Sequence, residues 1–300
     1  MRQLLRQGLA QLREAGVPSH TLAAELILMQ ALGCDRVSLY AHPDSVASED
    51  AERRFVELIA RRAAGEPTQH LIGKQEFWGL EFEVTPEVLI PRPETEHVVE
   101  VALERLAGRG GRAAHPQKAG DAGLLIADVG TGSGCIAIAL ATELPGATIC
   151  ATEISRPALD VARRNAIRLG VAHRIHFVAC NLLDAFLRDS RAANDATQLF
   201  DVIVSNPPYV GLCERDSLPR EVREHEPGIA LFAGETGAEV YPALIAQAAR
   251  CMQPQGILVL ELGHSSLAVV GPLLGSAPWT NVSVRNDLAG IPRVIAVERL

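Results

Sequence analysis

The sequence predicts an α/β chain: a mostly parallel seven-stranded sheet closed by an antiparallel C-terminal hairpin, preceded by a small helical bundle that a β-hairpin joins to it. Three observations predict this. From Leu124 onward, short apolar β-branched runs alternate with stretches of helical length, the pattern of βαβ units in a parallel sheet. Residues 1 to about 65 instead repeat their apolar positions with a period near 3.6. Between Gln75 and Ile90 the period falls to two. With 300 residues, 48% hydrophobic and 21% charged, the chain has length for two domains at about 150 residues each and is not a disordered polymer.

The elements follow in order. Leu4, Leu5, Leu9 and Leu12 form one helical stripe, and Leu22, Leu26, Ile27, Met29 and Leu32 form a second. Ser48 is placed to cap a third helix, with Glu49, Asp50 and Glu52 at its positive end and Phe55, Val56, Leu58 and Ile59 along it. Gly65-Glu66-Pro67 ends it. Phe77, Leu80, Phe82 and Val84, interrupted at Gly79, predict a short hairpin whose core takes Phe77 and Trp78. The domains expected are 1–72 helical, 73–92 hairpin linker and 93–300 sheet domain. Residues 108–121, with no apolar periodicity and many glycines, read as a mobile surface insertion. Strands are predicted at Leu124–Val129, Ala147–Thr152, Ile175–Ala179, Phe200–Ser205 and Gly256–Leu262. Helices are predicted at Gly134–Leu144, Arg156–Leu169 and Ala238–Met252, and the tail hairpin at Asn281–Arg285 and Arg293–Val297.

Composition excludes several function classes. The net charge is −8, and all but two of the 28 cations are arginines, so the chain has no polybasic arm. An acidic balance disfavours general adhesion to nucleic acid or anionic membrane. No apolar run approaches the ~20 residues of a membrane helix, and the N-terminus is amphipathic rather than signal-like. The six cysteines, Cys34, Cys135, Cys150, Cys180, Cys213 and Cys251, include no C-x-x-C pair. They read as free thiols of a reducing, cytoplasmic compartment, and no metal site is expected.

The run from Leu124 through Asp128-Val-Gly130-Thr131-Gly132-Ser133-Gly134 is a buried strand entering glycines and then an apolar helix. Glycines permit tight turning and close ligand approach, and the helix offers a positive N-terminus. The nicotinamide fingerprint would need glycine where Cys135 stands, and the phosphate-loop Gly-Lys-Ser/Thr is absent. The Asp128 carboxylate would repel a pyrophosphate and suit an amino-bearing ligand. Glu153, 25 residues further on at the end of the second strand, is placed to accept from a ribose diol. Asp-x-Gly-x-Gly-x-Gly with a ribose acid resembles the cofactor site of class I S-adenosylmethionine-dependent methyltransferases.

The fourth strand opens directly into Asn206-Pro207-Pro208-Tyr209. Two prolines fix the backbone and remove two donors. The freed carbonyls and the Asn206 side-chain oxygen can then accept both hydrogens of one planar NH₂ group, with Tyr209 packed against the plane that carries it. Such a nitrogen is a poor nucleophile. Holding it in line with a methyl group and stabilising the positive charge that develops on it requires no metal and no strong base. The tetrapeptide does not choose between adenine, cytosine and a glutamine amide.

Two further segments narrow the choice. One runs from Gly65-Glu-Pro-Thr-Gln-His70 through Phe77-Trp78-Gly79-Leu80 to Pro91-Arg92-Pro93-Glu94-Thr95-Glu96. The other is Glu226-Pro227-Gly-Ile-Ala-Leu231-Phe-Ala-Gly234-Glu-Thr-Gly237. With Asn206–Tyr209 they closely resemble the peptide chain release factor glutamine methyltransferases (the HemK/PrmC family), and the likeness runs to Asp287-Leu-Ala-Gly-Ile-Pro-Arg293. The resemblance implies a Rossmann-like seven-stranded methyltransferase sheet. It implies methyl transfer from S-adenosylmethionine to the glutamine of the Gly-Gly-Gln motif in class 1 release factors, which would modulate translation termination. Catalysis would rest on Asn206, Pro207 and Tyr209, and the substrate clamp would be Asn206 to Tyr209. The cofactor would meet Asp128, Gly130 to Gly134, Glu153, Asn181, Leu182 and Asn206. Pro91–Glu96, including Arg92, Pro93 and Glu94, would sit over the cleft. Arg92 equally suits Glu94 or Glu226 as an ion-pair partner, and Glu226 equally suits a role as an anchor of its loop. His264 reads as a surface residue.

The sequence departs from the family at Glu153, commonly aspartate, and at Asn181-Leu182, commonly an acid followed by an aromatic or apolar residue. Asn181 keeps an oxygen acceptor for an adenine amino group. The alternatives are methylation of a large-subunit ribosomal protein's glutamine, an N6-adenine nucleic-acid methyltransferase, or a cofactor-binding scaffold without turnover. Residues 1–90 carry nine cations against thirteen carboxylates, which favours a protein acceptor and no direct nucleic-acid contact. The chain is expected to act as a monomer.

Overall fold

The computed structural model describes residues 1–108, 123–187 and 199–300. The insertion expected at 108–121 lies, beyond Gly108, outside the described residues. The chain groups into two compact units. One comprises Met1–Lys74, Val84–Pro86 and Ser217–Glu226; the other comprises Gln75–Glu83, Glu87–Asp216 and Pro227–Leu300.

The first unit is helical: α1 (Arg2–Glu14), α2 (His20–Leu32), α3 (Arg36–Ala41), α4 (Glu49–Ala63) and α5 (Thr68–Ile72). Leu4, Leu12, Ala24, Ile27, Leu28, Phe55 and Ile59 fill its core. The second stripe is turned from the expected one. Ala23, Ala24, Ile27 and Leu28 are buried together with Glu25, while Leu22 faces solvent, because the helix carries apolar residues on two faces and packing selects the one with small residues. Ser48 caps α4 as expected, its hydroxyl accepting from Ala51 N at 3.2 Å, a cap worth about 1 kcal/mol. The short α3, capped by Asp35, and α5 have too few turns to show a period in sequence.

A two-stranded hairpin, β1 (Lys74–Phe77) and β2 (Leu80–Glu83), follows. Trp78 and Gly79 both have positive φ, +56° and +68°, which a two-residue hairpin turn of the favoured hand requires. Trp78 is held there by two glutamates: its N–H donates to Glu96 at 2.7 Å and its indole N–H to Glu143 at 2.8 Å. Phe77 and Phe82 meet edge to face and are buried in the core of the second unit.

That unit continues with α6 (Glu96–Gly108), β3 (Leu125–Val129), α7 (Cys135–Glu143), β4 (Thr148–Glu153), α8 (Arg156–Arg168), β5 (Ile175–Ala179) and β6 (Phe200–Ser205). After α9 (Arg220–His225), which belongs to the first unit, come α10 (Gly228–Leu231), α11 (Val240–Cys251), β7 (Met252–Glu261), α12 (Leu267–Leu274), β8 (Trp279–Asn286) and β9 (Pro292–Arg299). The seven strands lie in the order β5-β4-β3-β6-β7-β9-β8. Neighbours from β5 to β7 pair parallel; β9 pairs antiparallel with β7 and β8. The fold class is the one the sequence predicts. The ends of β3 to β6 agree to within a residue, whereas β7 begins at Met252 rather than Gly256, β8 at Trp279 rather than Asn281, and β9 ends at Arg299 rather than Val297. Pro254 is tolerated because the β6 ladder is interrupted there, its register shifting between Phe200 and Val202.

β3 is flanked by β4 on one side and β6 on the other, so chain order reverses across it. Ligands of open α/β sheets bind outside the carboxyl ends of strands at such a switch point. Val129 and Ser205 are register partners at the ends of β3 and β6, and Ser205 Oγ donates to Val129 O at 2.7 Å.

Candidate active site

The cleft at this switch point has a volume of about 270 Å³. Gly130, Thr131, Gly132 and Ser133 line it from the end of β3, Glu153 from β4, Cys180, Asn181 and Leu182 after β5, and Asn206, Pro207 and Pro208 after β6. Pro91, Arg92 and Thr95 line it from the 3₁₀ turn Pro93–Thr95 and the residues before it. The structure thus brings together most of the residues singled out in the sequence.

The glycine turn is fixed from behind. Gly130 N and Thr131 N both donate to Thr152 O at 2.9 Å. Asp128 is fully buried, and its Oδ2 accepts from Thr131 Oγ1 at 2.6 Å and from Ala137 N at 3.1 Å. It does not line the cleft. The expectation of direct cofactor contact is replaced by a buried brace that ties the turn to the first turn of α7. Burial pushes its carboxyl up to about 7, against the pull of those two hydrogen bonds. Gly134 also stays off the cleft. A Cβ there would meet Ile138 at 3.1 Å and Ala162 at 3.2 Å, so it serves the packing of α7 on α8. At Gly130 and Gly132, φ is positive and a Cβ would meet nothing within 4 Å. The backbone there is open to a closely approaching ligand.

Glu153 bridges two segments: Oε2 accepts from Gly132 N and Oε1 from Ser155 N, each at 3.0 Å. Its carboxylate is anchored by backbone on one side and lines the cleft with the other. The chemistry fits S-adenosylmethionine. A carboxylate stands where a diol can donate, glycines leave room for a chain with no side-chain obstacle, and the buried Asp128 Oδ1, with no hydrogen-bond partner, supplies negative potential behind the turn.

On the other side of the cleft, Asn206 Nδ2 donates to Thr95 Oγ1 at 3.0 Å. Tyr209 does not line the cleft. Its hydroxyl donates to Glu261 Oε1 at 3.3 Å, and burial, then the Glu261 charge, raise its pKa. Its surroundings explain the second sequence motif. A Cβ on Gly237 would stand 2.4 Å from Tyr209 O, and one on Gly263 would stand 2.9 Å from the Tyr209 ring. Val210 pairs with Phe232, Val210 N donating to Leu231 O at 2.9 Å. The segment from Leu231 to Gly237 thus clamps the backbone of the tetrapeptide. Pro93, which is exposed, and Glu94 do not line the cleft, and Glu226 is buried in the first unit at the end of α9.

Two residues were missed in the sequence. In sequence Thr95 is only one residue of Pro91–Glu96, and Glu261 only one residue of a strand. The signal for Glu261 was present: one acid in Gly256-Ile-Leu-Val-Leu-Glu261-Leu, an otherwise apolar strand, has to be paired if buried. Among the described residues no cluster of three or more His, Cys, Asp or Glu could hold a metal ion, and no helix is long and apolar enough to cross a membrane.

A family model described as the PrmC N-terminal domain matches residues 3–73, and one described as the methyltransferase small domain matches residues 117–217. Release factor glutamine methyltransferase from Koribacter versatilis is 42% identical over 98% of this chain and 97% of its own. The chain belongs to the release factor glutamine methyltransferase family. Other members are alike along their length. The Nitratidesulfovibrio vulgaris protein is 41% identical over 99% of this chain and 94% of its own, and that of Deinococcus radiodurans is 37% identical over 100% and 98%. The hMettl16 catalytic domain in complex with MAT2A 3′UTR hairpin 6 shares the fold, with TM-score 0.54 at 19% identity over 80% of this chain and 81% of its own. For this family member, Asn181 and Leu182 stand in the cleft wall in spite of the sequence departure, with Asn181 O accepting from Asp184 N at 3.0 Å.

Proposed function

We propose that this enzyme methylates the side-chain amide nitrogen of the glutamine in the Gly-Gly-Gln motif of class 1 peptide chain release factors, with S-adenosylmethionine as methyl donor, and so modulates translation termination. The observation that carries the reading is Asn206. It lies at the end of β6, one strand from the glycine turn, with its amide nitrogen already committed to Thr95.

When bound, S-adenosylmethionine supplies an electrophilic methyl group. Glu153 would hold its ribose, the Gly130–Ser133 backbone its amino-acid part, and Asn181 with Leu182 its adenine. Asn206 Oδ1 and the Pro207 carbonyl would accept the two hydrogens of the substrate amide, holding its nitrogen in line and favouring the positive charge that develops on it. Residues 1–72, the helical segment with more carboxylates than cations, would grip the body of the release factor, with 73–92 joining it to the catalytic segment 93–300. The chain would work as a cytoplasmic monomer and touch no nucleic acid directly.

The test is mass spectrometry of a release factor incubated with enzyme and S-adenosylmethionine. The expected result is a gain of one CH₂ on the Gly-Gly-Gln peptide. An unmodified peptide would overturn the reading, as would preferential labelling of a large-subunit ribosomal protein or of adenine in nucleic acid.

A further inference from the structure

The Asn206 side chain carries both an acceptor and a donor, and an amide NH₂ substrate needs the acceptor. Which of the two faces the cleft is decided by groups behind it. Asn206 Nδ2 donates to Thr95 Oγ1 at 3.0 Å, and Thr95 is only 2% exposed. With its oxygen accepting there, the Thr95 hydroxyl has its own hydrogen to give. It acts on Glu261, whose proton affinity is lowered by the Thr95 and Tyr209 hydroxyls against the upward push of burial. Glu261 is 2% exposed at the end of β7. Its Oε1 accepts from Tyr209 at 3.3 Å, and its buried Oε2 has no hydrogen-bond partner, an acceptor for which the Thr95 hydrogen is suited. Tyr241 donates to the Glu261 backbone oxygen at 2.9 Å and fixes the residue from below.

Above about pH 7, where Glu261 is ionised, its carboxylate only accepts. Its presence therefore sets the direction of every bond in the string: both hydroxyls point to Glu261, the Thr95 lone pairs face Asn206, and Asn206 turns its NH₂ inward. The oxygen is what remains for the cleft. We propose that Glu261 and Thr95 are positioning residues for the methyl acceptor, Thr95 orienting the Asn206 amide and Glu261 holding both Thr95 and the Tyr209 end of the tetrapeptide. The other charged groups acting on Glu261 are Glu94 and Arg293, and Arg293 is held by Asp287 at 2.8 Å.

This inference rests on the proposed amide-methyl transfer, so wild-type turnover of a release factor is the control that tests the reading by itself. Given that turnover, Thr95→Val keeps the shape and removes the hydroxyl, Thr95→Ser keeps the hydroxyl, and Glu261→Gln gives the string a donor at its root. We expect Thr95→Val and Glu261→Gln to lower kcat by about tenfold or more. S-adenosylmethionine affinity by calorimetry and the melting temperature should stay near wild type, and Thr95→Ser should restore kcat. If Glu261→Gln does not fold, the Thr95 pair decides. Wild-type kcat in Thr95→Val would overturn the proposal. So would a Thr95→Ser as impaired as Thr95→Val, or a loss matched by an equal loss of cofactor affinity.

Discussion

At the end of β3 the chain turns through glycines and presents backbone to the cleft; at the end of β6, one strand over, it turns through prolines and presents a side chain. Each turn has a buried carboxyl behind it. Asp128 braces the glycine turn through a backbone N–H and a neighbouring hydroxyl, while Glu261 reaches the proline turn only through the hydroxyls of Tyr209 and Thr95. The difference follows from the task of each half. A turn that must admit a ligand closely is stiffened from behind and left bare in front. A turn that must orient one amide needs its hydrogen-bond directions fixed, and here the buried side chains behind it do that.

Four measurements would break or sharpen this contrast. Asn206→Ala has the largest expected effect: methyl transfer falls by about a hundredfold or more, while calorimetry still finds S-adenosylmethionine bound within a few-fold of wild type. Equal losses in both would show that the halves are not separable. Next, Gly237→Val and Gly132→Val attack one half each. The first forces the Tyr209 backbone aside and should lower kcat by about tenfold with cofactor affinity kept. The second fills the open side of the glycine turn and should weaken cofactor binding by about tenfold or more.

The third measurement compares the two carboxyls by pH. Both are pushed up to about 7, from 3.8 for Asp128 and 4.5 for Glu261. Each binds its proton more tightly folded than unfolded, so its contribution to stability is complete below the ordinary value and is lost as pH rises through about 7. Melts of ligand-free enzyme should show lower stability at about pH 8 than at about pH 5, with a shallower slope in Asp128→Asn. An unchanged slope would mean that Asp128 does not titrate in this window. The smallest effect is a control outside both halves. Ser48→Ala should cost about 1 kcal/mol of stability and leave kcat on a Gly-Gly-Gln peptide unaltered.

β3, β4 and β6 were legible in sequence because each is a buried run bounded by glycine, proline or a charged helix start; the half-exposed β5 also falls where the pattern puts it. The glycine turn and Asn206–Tyr209 were legible because each needs unusual residue types at fixed spacing. What sequence did not yield depends on partners distant in the chain. Asp128 looks like a ligand contact until the structure turns it onto Ala137. Leu22 looks like core until Ala23 and Ala24 take the face. Glu261 becomes part of the site only because β7 lies beside β6, which sets Thr95 and Tyr209 against it across 166 and 52 residues of chain.

The register partnership of Val129 with Ser205 has a consequence for tolerance to insertion. The backbone that would cradle the donor and the backbone that would hold the acceptor leave adjacent strands at the same rung, so their separation is one interstrand spacing, about 4.8 Å. The reach of the transfer is thereby a lattice constant of the sheet rather than a property of any loop. A single residue added within β6 would move Asn206 by one rung and reverse the faces of the strand, uncoupling the two halves even if every side chain of the cleft were kept.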